Sequence, residues 1–300
     1  MLIQRSSNVK RGNVDDRIAA VVEHVEADWL RNVVERISIP RHFIEQPENN
    51  RRIAAWIEGK FRDWGYQTTR QGEFDNIVAM PDESVSPRIL IGAHYDSRPE
   101  TPGADDNASA VAAMMGCAEA IATHGGFLRD DICFVAFNRE EDSLLGSIDF
   151  VSNYLPDSWN LAEVHILEMV GYCDSTPGSQ RLPPGLPIKL AHDRGDFLGL
   201  IANRHSNKLV PSLLKCASTY VPDFPVWGLK VMFGLENRFK DLRRSDHAPF
   251  WDKKIPAFMW TDTSEFRNAN YHKPTDTPDT LDYEFLQNVT RFLVARVLSS

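Results

Sequence analysis

The stretch DICFVAFNREEDSLLGS, residues 131–147, holds six consecutive apolar positions, Ile132 to Phe137, and then sets two glutamates, Glu140 and Glu141, side by side. A continuous apolar run of this length predicts a strand buried on both faces, of the kind found inside parallel sheets. The runs RILIGAH (88–94) and VHILEMV (164–170) read the same way, as does the shorter NIVAM (76–80). Helical stretches lie between them: NASAVAAMMGCAEAIATHGG (107–126), closing on glycines, and SLLGSIDFVSNYL (143–155). Apolar strands alternating with helices imply an α/β fold of three layers, α/β/α, around a mixed, largely parallel central sheet.

Upstream, Ile18, Val21, Val22, Val25, Trp29, Val33 and Ile37 recur at helical spacing, and so do Ile53, Trp56, Ile57, Phe61 and Trp64 behind Pro47. Two amphipathic helices are therefore expected to open the chain. Residues 1–45 read as a helical extension packed on a single domain that occupies residues 1–300. Downstream the expected elements are a helix over DFLGLIANRHSNKLVPSLLKCAS (196–218), strands LKVMF (229–233) and PAFMW (256–260), and a last helix from about Tyr283 to Leu298. Between 174 and 195 the run STPGSQRLPPGLP is too rich in proline and glycine for either element and reads as a lid or a surface excursion.

Composition narrows the partners. Three hundred residues with 42% apolar content can bury a full core. A formal net charge of −9 repels a phosphate backbone, so nucleic acid is not an expected partner. No run approaches the roughly 18 apolar residues of a membrane span. The opening MLIQRSSNVKRGNVDD lacks the apolar core of a secretory signal, so the expectation is a soluble, cytoplasmic protein without membrane contact. Cys117, Cys133, Cys173 and Cys216 show no CxxC spacing and are expected to be free thiols. Oligomeric state is not readable from these features.

Open α/β sheets bind ligands beyond the carboxyl ends of their strands. Here those ends carry His94, Tyr95 and Asp96; Asp105, Asp106 and Asn107; Glu140 and Glu141; and Glu168. His272 follows in the loop NYHKPTDT. Each group alone has an ordinary explanation, since Asp105 and Asp106 could cap a helix and the two glutamates could form an acidic first turn. Together they place imidazole and carboxylate at several strand ends with no lysine or arginine between, a donor set suited to zinc or a similar ion. The surplus of carboxylates over a single site suggests two divalent ions.

Six blocks carry a resemblance: GAHYDS (92–97), PGADDNASA (102–110), FNREEDSLLGS (137–147), HILEMVGY (165–172), SDHAPFW (245–251) and NYHKPTDTPDTLDY (270–283). In these, and in their order, the chain resembles the co-catalytic zinc aminopeptidases of the bacterial leucyl aminopeptidase type, relatives of glutamate carboxypeptidase and glutaminyl cyclase. The resemblance implies a metallopeptidase acting on peptide or aminoacyl substrates with two zinc ions. It implies His94, Asp106 and Glu168 as ligands of one ion and Asp106, Glu141 and His272 as ligands of the other, with Asp106 bridging. Asp96 would orient the His94 imidazole, and Glu140 would be the general base toward a water or hydroxide held between the ions. A cis peptide bond between Asp106 and Asn107 is implied as well. Two departures stand out: Glu168 replaces the aspartate of the prototype, and Ala110 stands where glycine is common.

Asp246 and His247 could support the loop behind His272 or face the reaction itself. Met169, Tyr271 and, less directly, Phe266 are expected to border the substrate pocket. Three rival functions share these residues. A glutaminyl cyclase would use one zinc; a carboxypeptidase or dipeptidase would need a basic clamp, for which Arg238, Arg243, Arg244 and Arg267 are candidates. A binding module without catalysis would be expected to lose ligands, and none is missing.

Overall fold

A computed structural model describes residues 1–126 and 129–300. In chain order the strands are β1 (Leu2–Arg5), β2 (Gln67–Gln71), β3 (Asn76–Met80), β4 (Ile89–His94), β5 (Ile132–Phe137), β6 (Glu163–Leu167), β7 (Leu198–Ala202), β8 (Val226–Lys230) and β9 (Ala257–Thr261). The helices are α1 (Asp16–Glu23), α2 (Ala27–Ile37), α3 (Pro47–Asp63), α4 (Ala110–Thr123), α5 (Leu145–Asp149), α6 (Val210–Tyr220), α7 (His247–Asp252) and α8 (Tyr283–Ser299). The strands form one mixed sheet in the order β1-β8-β7-β9-β6-β4-β5-β3-β2. Its centre is parallel, β5, β4, β6 and β9 running together. Antiparallel pairs join β3 to β5, β2 to β3, β7 to β9 and β1 to β8.

The two faces of the sheet are covered differently. One face packs against α1, α2, α3, α4, α6 and α8 in a large apolar cluster that includes Leu30, Ile57, Val111, Leu214 and Phe292. The other face meets the turn that continues the short α5, through Phe150, and α7, through Phe250 and Trp251, near its centre. Beyond β9 its cover is irregular chain, in a small cluster around Leu186, Leu229, Val231 and Leu242. Among the described residues no helix is long and apolar enough to cross a membrane, and all four cysteines are free.

Several elements differ from the sequence expectation. The helix expected over 18–37 is two, α1 and α2, and the carbonyl of Val25 in the break accepts from Gln287 (2.8 Å) and Arg291 (3.3 Å) of α8. The helix expected over 196–218 divides into β7 and α6. Leu198, Leu200 and Ala202 alternate with Gly199 and Ile201, and β7 finds ladder partners on both sides, so the alternating pattern prevails until Pro211 opens α6. The strand expected at 229–233 begins earlier, at Val226. Residues 1–45 are not wholly helical, because β1 pairs with β8 from Leu2↔Lys230 to Arg5↔Trp227.

At the end of the sheet away from the acidic cluster lies a buried ionic group. Arg296 of α8 pairs with Glu163 of β6, its Nε donating at 2.9 Å. His165 Nε2 meets the same carboxylate at 3.1 Å, and Trp260 Nε1 donates to His165 Nδ1 at 3.1 Å, which fixes the neutral tautomer. Burial alone would raise the Glu163 carboxyl; His165 and Arg296 instead pull it down to about 2. Arg296→Met leaves that charge unpaired and is expected to lower stability by about 3–5 kcal/mol in urea unfolding. A loss under about 1 kcal/mol would show that Glu163 does not depend on α8 for its counter-charge.

Candidate metal centre

The parallel strands deliver the acidic cluster to one edge. His94 ends β4, Glu140 and Glu141 follow β5, and Glu168 follows β6. Asp106 lies in the irregular turn that precedes α4, and His272 in the connection from β9 to α8. Gly103 opens that turn at φ +60°, where a Cβ would strike the carbonyl oxygen of Asp106. The peptide bond from Asp106 to Asn107 is cis, as the resemblance implies. Arg139, Met169 and His272, none of them glycine, hold φ of 57°, 49° and 57° beside or within the cluster. Left-handed backbone at such residues is costly and gathers where side chains must be aimed.

The side chains converge on Asp106. One of its oxygens lies 3.3 Å from His94 Nε2, which is also 3.5 Å from Glu168 and 3.7 Å from Glu140. Its other oxygen lies 3.1 Å from His272 Nε2, itself 3.4 Å from Glu141. Two groups result, His94 with Asp106 and Glu168, and Asp106 with Glu141 and His272, each offering donor atoms within 4.8 Å of one another. Donors about 2.0–2.2 Å from a shared tetrahedral ion stand roughly 3.3 Å apart, so this spacing suits zinc. Neither ring nitrogen of the buried His94 makes a well-aligned hydrogen bond, nor does Glu141 Oε1. His94 Nδ1 faces Asp96, while Nε2 faces Asp106 and Glu168, where an unsatisfied buried nitrogen among carboxylates fits a cation.

Electrostatics agree with that fit. Burial, reinforced by Glu168 and Glu141, pushes the Glu140 carboxyl well above its usual range. Burial and then Asp106 push Glu141 up to about 7. Burial would lower His94, but Glu140, Asp106, Asp96 and Glu168 hold it well above its usual value, while His272 rises to about 9 through Asp106 and Glu141. Protein groups alone supply too little positive charge for so many carboxylates, and a divalent ion would supply it.

Surrounding residues hold this arrangement. Asp96 stands 3.3 Å from His94 Nδ1 and accepts the backbone amides of both Glu140 and Glu141 at 3.2 Å, tying β4 to the glutamate pair. Asp276 accepts the amides of Asp105 (2.9 Å) and Asp106 (3.1 Å). Asn107 receives the Met169 amide and donates to the Leu167 carbonyl, so the turn is anchored to the end of β6. Ser245 Oγ donates to Glu168 at 2.7 Å. Arg41 is fully buried beneath, bonded to the carbonyls of Tyr95 and Gly103. Sequence reading named Asn107 without its anchoring role and did not single out Arg41 or Asp276. Asp276 lay inside a quoted block, whereas nothing around Arg41 signals its role.

Of the residues expected at a substrate pocket, Tyr271 and Phe266 line a cavity that begins at Glu168. Tyr271 stacks on His272 with ring centroids 3.6 Å apart. Met169, Asp246 and His247 do not line it. Met169 is fully buried, and its amide and carbonyl are both engaged, by Asn107 and by the amide of Asp262. His247 is buried against Trp251 and bonded to the Leu242 carbonyl, and burial brings it down to about 4, a neutral structural imidazole. Asp246 is wholly buried near Ser147, and burial pushes its carboxyl up to about 7. Among the arginines, Arg267 is buried on the carbonyls of Tyr172 and Phe197, Arg243 pairs with Asp252, and Arg244 pairs with Glu265 and donates to Tyr271 at 2.6 Å. Arg238 is exposed.

The profile of peptidase family M28 matches residues 76–187 and 231–297. The uncharacterized protein YfbL of Escherichia coli is 33% identical over 299 residues, 92% of this chain and 89% of that protein. The aminopeptidase YwaD of Bacillus subtilis is 27% identical over 74% of this chain, which spans 44% of YwaD's length. Among solved structures, the LapA aminopeptidase of Legionella pneumophila superposes with a TM-score of 0.73 at 20% identity, over 95% of this chain and 76% of that one.

Proposed function

We propose, since this chain belongs to peptidase family M28 and is a zinc-dependent hydrolase, that it is a two-metal aminopeptidase removing N-terminal residues from peptides. The observation that carries this reading is Asp106, whose two oxygens face two separate donor groups. His94, Asp106 and Glu168 would hold one ion, and Asp106, Glu141 and His272 the other. Glu168 in place of an aspartate remains within reach, held by Ser245. When bound, such ions supply Lewis acidity, acidifying a water and polarising the scissile carbonyl.

The protein groups then have separate tasks. Glu140 belongs to neither donor triad, is nine-tenths buried, and has its amide fixed by Asp96. It would take the proton of the attacking water and pass it to the leaving amine. Asp96 would keep Nε2 of His94 free for the metal by engaging Nδ1. Tyr271 and Phe266 would border the first side-chain pocket. A carboxypeptidase clamp finds less support, since Arg243, Arg244 and Arg267 already have protein partners. A one-zinc cyclase has no use for all five ligands.

Reloading metal-stripped protein with defined ions and offering peptides blocked at either end tests the proposal. Cleavage of C-blocked but not N-blocked peptides, with two ions bound per chain, is the expected result. The reverse preference, or a single tightly bound zinc under zinc-replete conditions, would overturn it. Asp96→Asn is expected to weaken metal binding about 10–100-fold, read by chelator competition; unchanged affinity would remove Asp96 from its role.

A further inference from the structure

One third of the sheet, β7, β8 and β1, carries none of the ligand candidates. There a cavity of about 110 Å³ starts at Glu168 and Tyr271 and crosses the sheet face beneath the loop around residues 180–190. Its floor is two rows in register. Met259, Ile201, Leu229 and Ile3 are successive cross-strand partners, and Thr261, Gly199 and Trp227 form the row beside them. Glu168 heads the second row, its amide bonded to the Trp260 carbonyl at 2.9 Å. Gly199 has no side chain, so the floor sinks between Thr261 and Trp227; a Cβ there would come within 3.2 Å of the Thr261 carbonyl oxygen. Apolar side chains of the loop, Leu186 and Ile188 among them, form the roof.

Length and polarity decide what fits. From the end of β6 to β1 there are four strand spacings of about 4.8 Å, roughly 19 Å in all. An extended chain advances roughly 3.6 Å per three bonds, so a leucine or methionine side chain reaches only about 5 Å. A second peptide residue would bring amide groups past Gln180 and Thr261, whose polar atoms are already paired. Gln180 bonds Thr263, Arg267 and the Arg181 carbonyl, and the Thr261 hydroxyl accepts the Thr263 amide. Unpaired amide groups are costly to bury, whereas a hydrocarbon chain carries none.

We propose that the slot receives the alkyl chain of a long-chain N-acyl amine and that the same centre hydrolyses this acyl amide. The inference rests on the hydrolytic reading of the centre but not on recognition of a free α-amine. The oxygen of water bonds to the acyl carbon as the C–N bond breaks. One water proton passes by way of Glu140 to the leaving amine, and the other is released as the carboxylic acid ionises.

The test is a series of acyl p-nitroanilides from acetyl to hexadecanoyl, run beside leucyl p-nitroanilide. Between four and fourteen carbons kcat/KM is expected to rise roughly threefold per methylene and then level off. Ile3→Trp and Ile188→Trp, at half-buried positions far from Glu168, should shift the optimum to shorter chains by two or more carbons and leave leucyl turnover within twofold. Titration of metal-free protein with tetradecanamide supplies a readout without catalysis, with affinity expected to fall at least tenfold in Ile3→Trp. A flat or falling series beyond butanoyl, or no turnover of any acyl anilide, overturns the proposal whatever the leucyl substrate does. So does a loss in the tryptophan variants that is equal for leucyl and tetradecanoyl substrates. Acyl turnover without leucyl turnover would uphold this inference and defeat the aminopeptidase reading.

Discussion

Glu140→Gln is expected to keep its fold and both metal ions while kcat falls by about 10²–10⁴-fold, the usual contribution of a positioned general base. Glutamine matches glutamate in shape, and the Glu140 amide stays bound to Asp96, so the backbone has no reason to move. The side chain belongs to neither donor group, so metal content should not change. Its carboxyl is held well above the usual range first by burial and then by Glu168 and Glu141, whose charges bound cations would offset. Steady-state kinetics together with metal analysis of the same preparation checks this. Near-normal turnover would refute the role of Glu140, and a loss of metal would move Glu140 into the ligand set.

Asp106→Asn is expected to have the larger effect on metal. An amide offers one weakly donating oxygen where the carboxylate offers two, and His94 and His272 each face a different one. Both donor groups therefore weaken together, by more than the roughly 10–100-fold that loss of an outer partner costs. Glu141→Gln touches only the group with His272 and should leave one ion in place. Calorimetric titration with zinc would separate the two variants. Equal, single-site losses in both would mean that Asp106 does not bridge.

The parts legible in the sequence are those that a repeated constraint writes along the chain. Strands β3, β4, β5 and β6 are buried on both faces and so read as largely apolar runs, and cluster residues lie at or just beyond the ends of β4, β5 and β6. The edge strands went unread for the opposite reason. QTTRQ of β2 is half exposed with no apolar alternation, and β1 has only four residues. Strand β7 was masked because its apolar residues also satisfy helical spacing and run on into α6. Residues that support the centre through backbone groups leave little trace. Arg41 is fixed by carbonyl oxygens, which every residue carries, and no motif marks which ones will converge. The expected pocket residue Met169 is instead fully buried on left-handed backbone, a conformation that its neighbours in the sequence do not announce.

The uneven cover of the sheet has a consequence for how such a chain can change over generations. The chemistry is assembled on the parallel centre, where a substitution disturbs ligands, their supports and the helical layer together. The slot is assembled on β7, β8, β1 and an irregular loop, none of which carries a ligand candidate. Loops without regular structure tolerate insertion and replacement far better than packed helices do. Selection can therefore lengthen, shorten or re-line the slot while the hydrolytic machinery is inherited intact, so descendants of one ancestor would come to differ in diet before they differ in reaction.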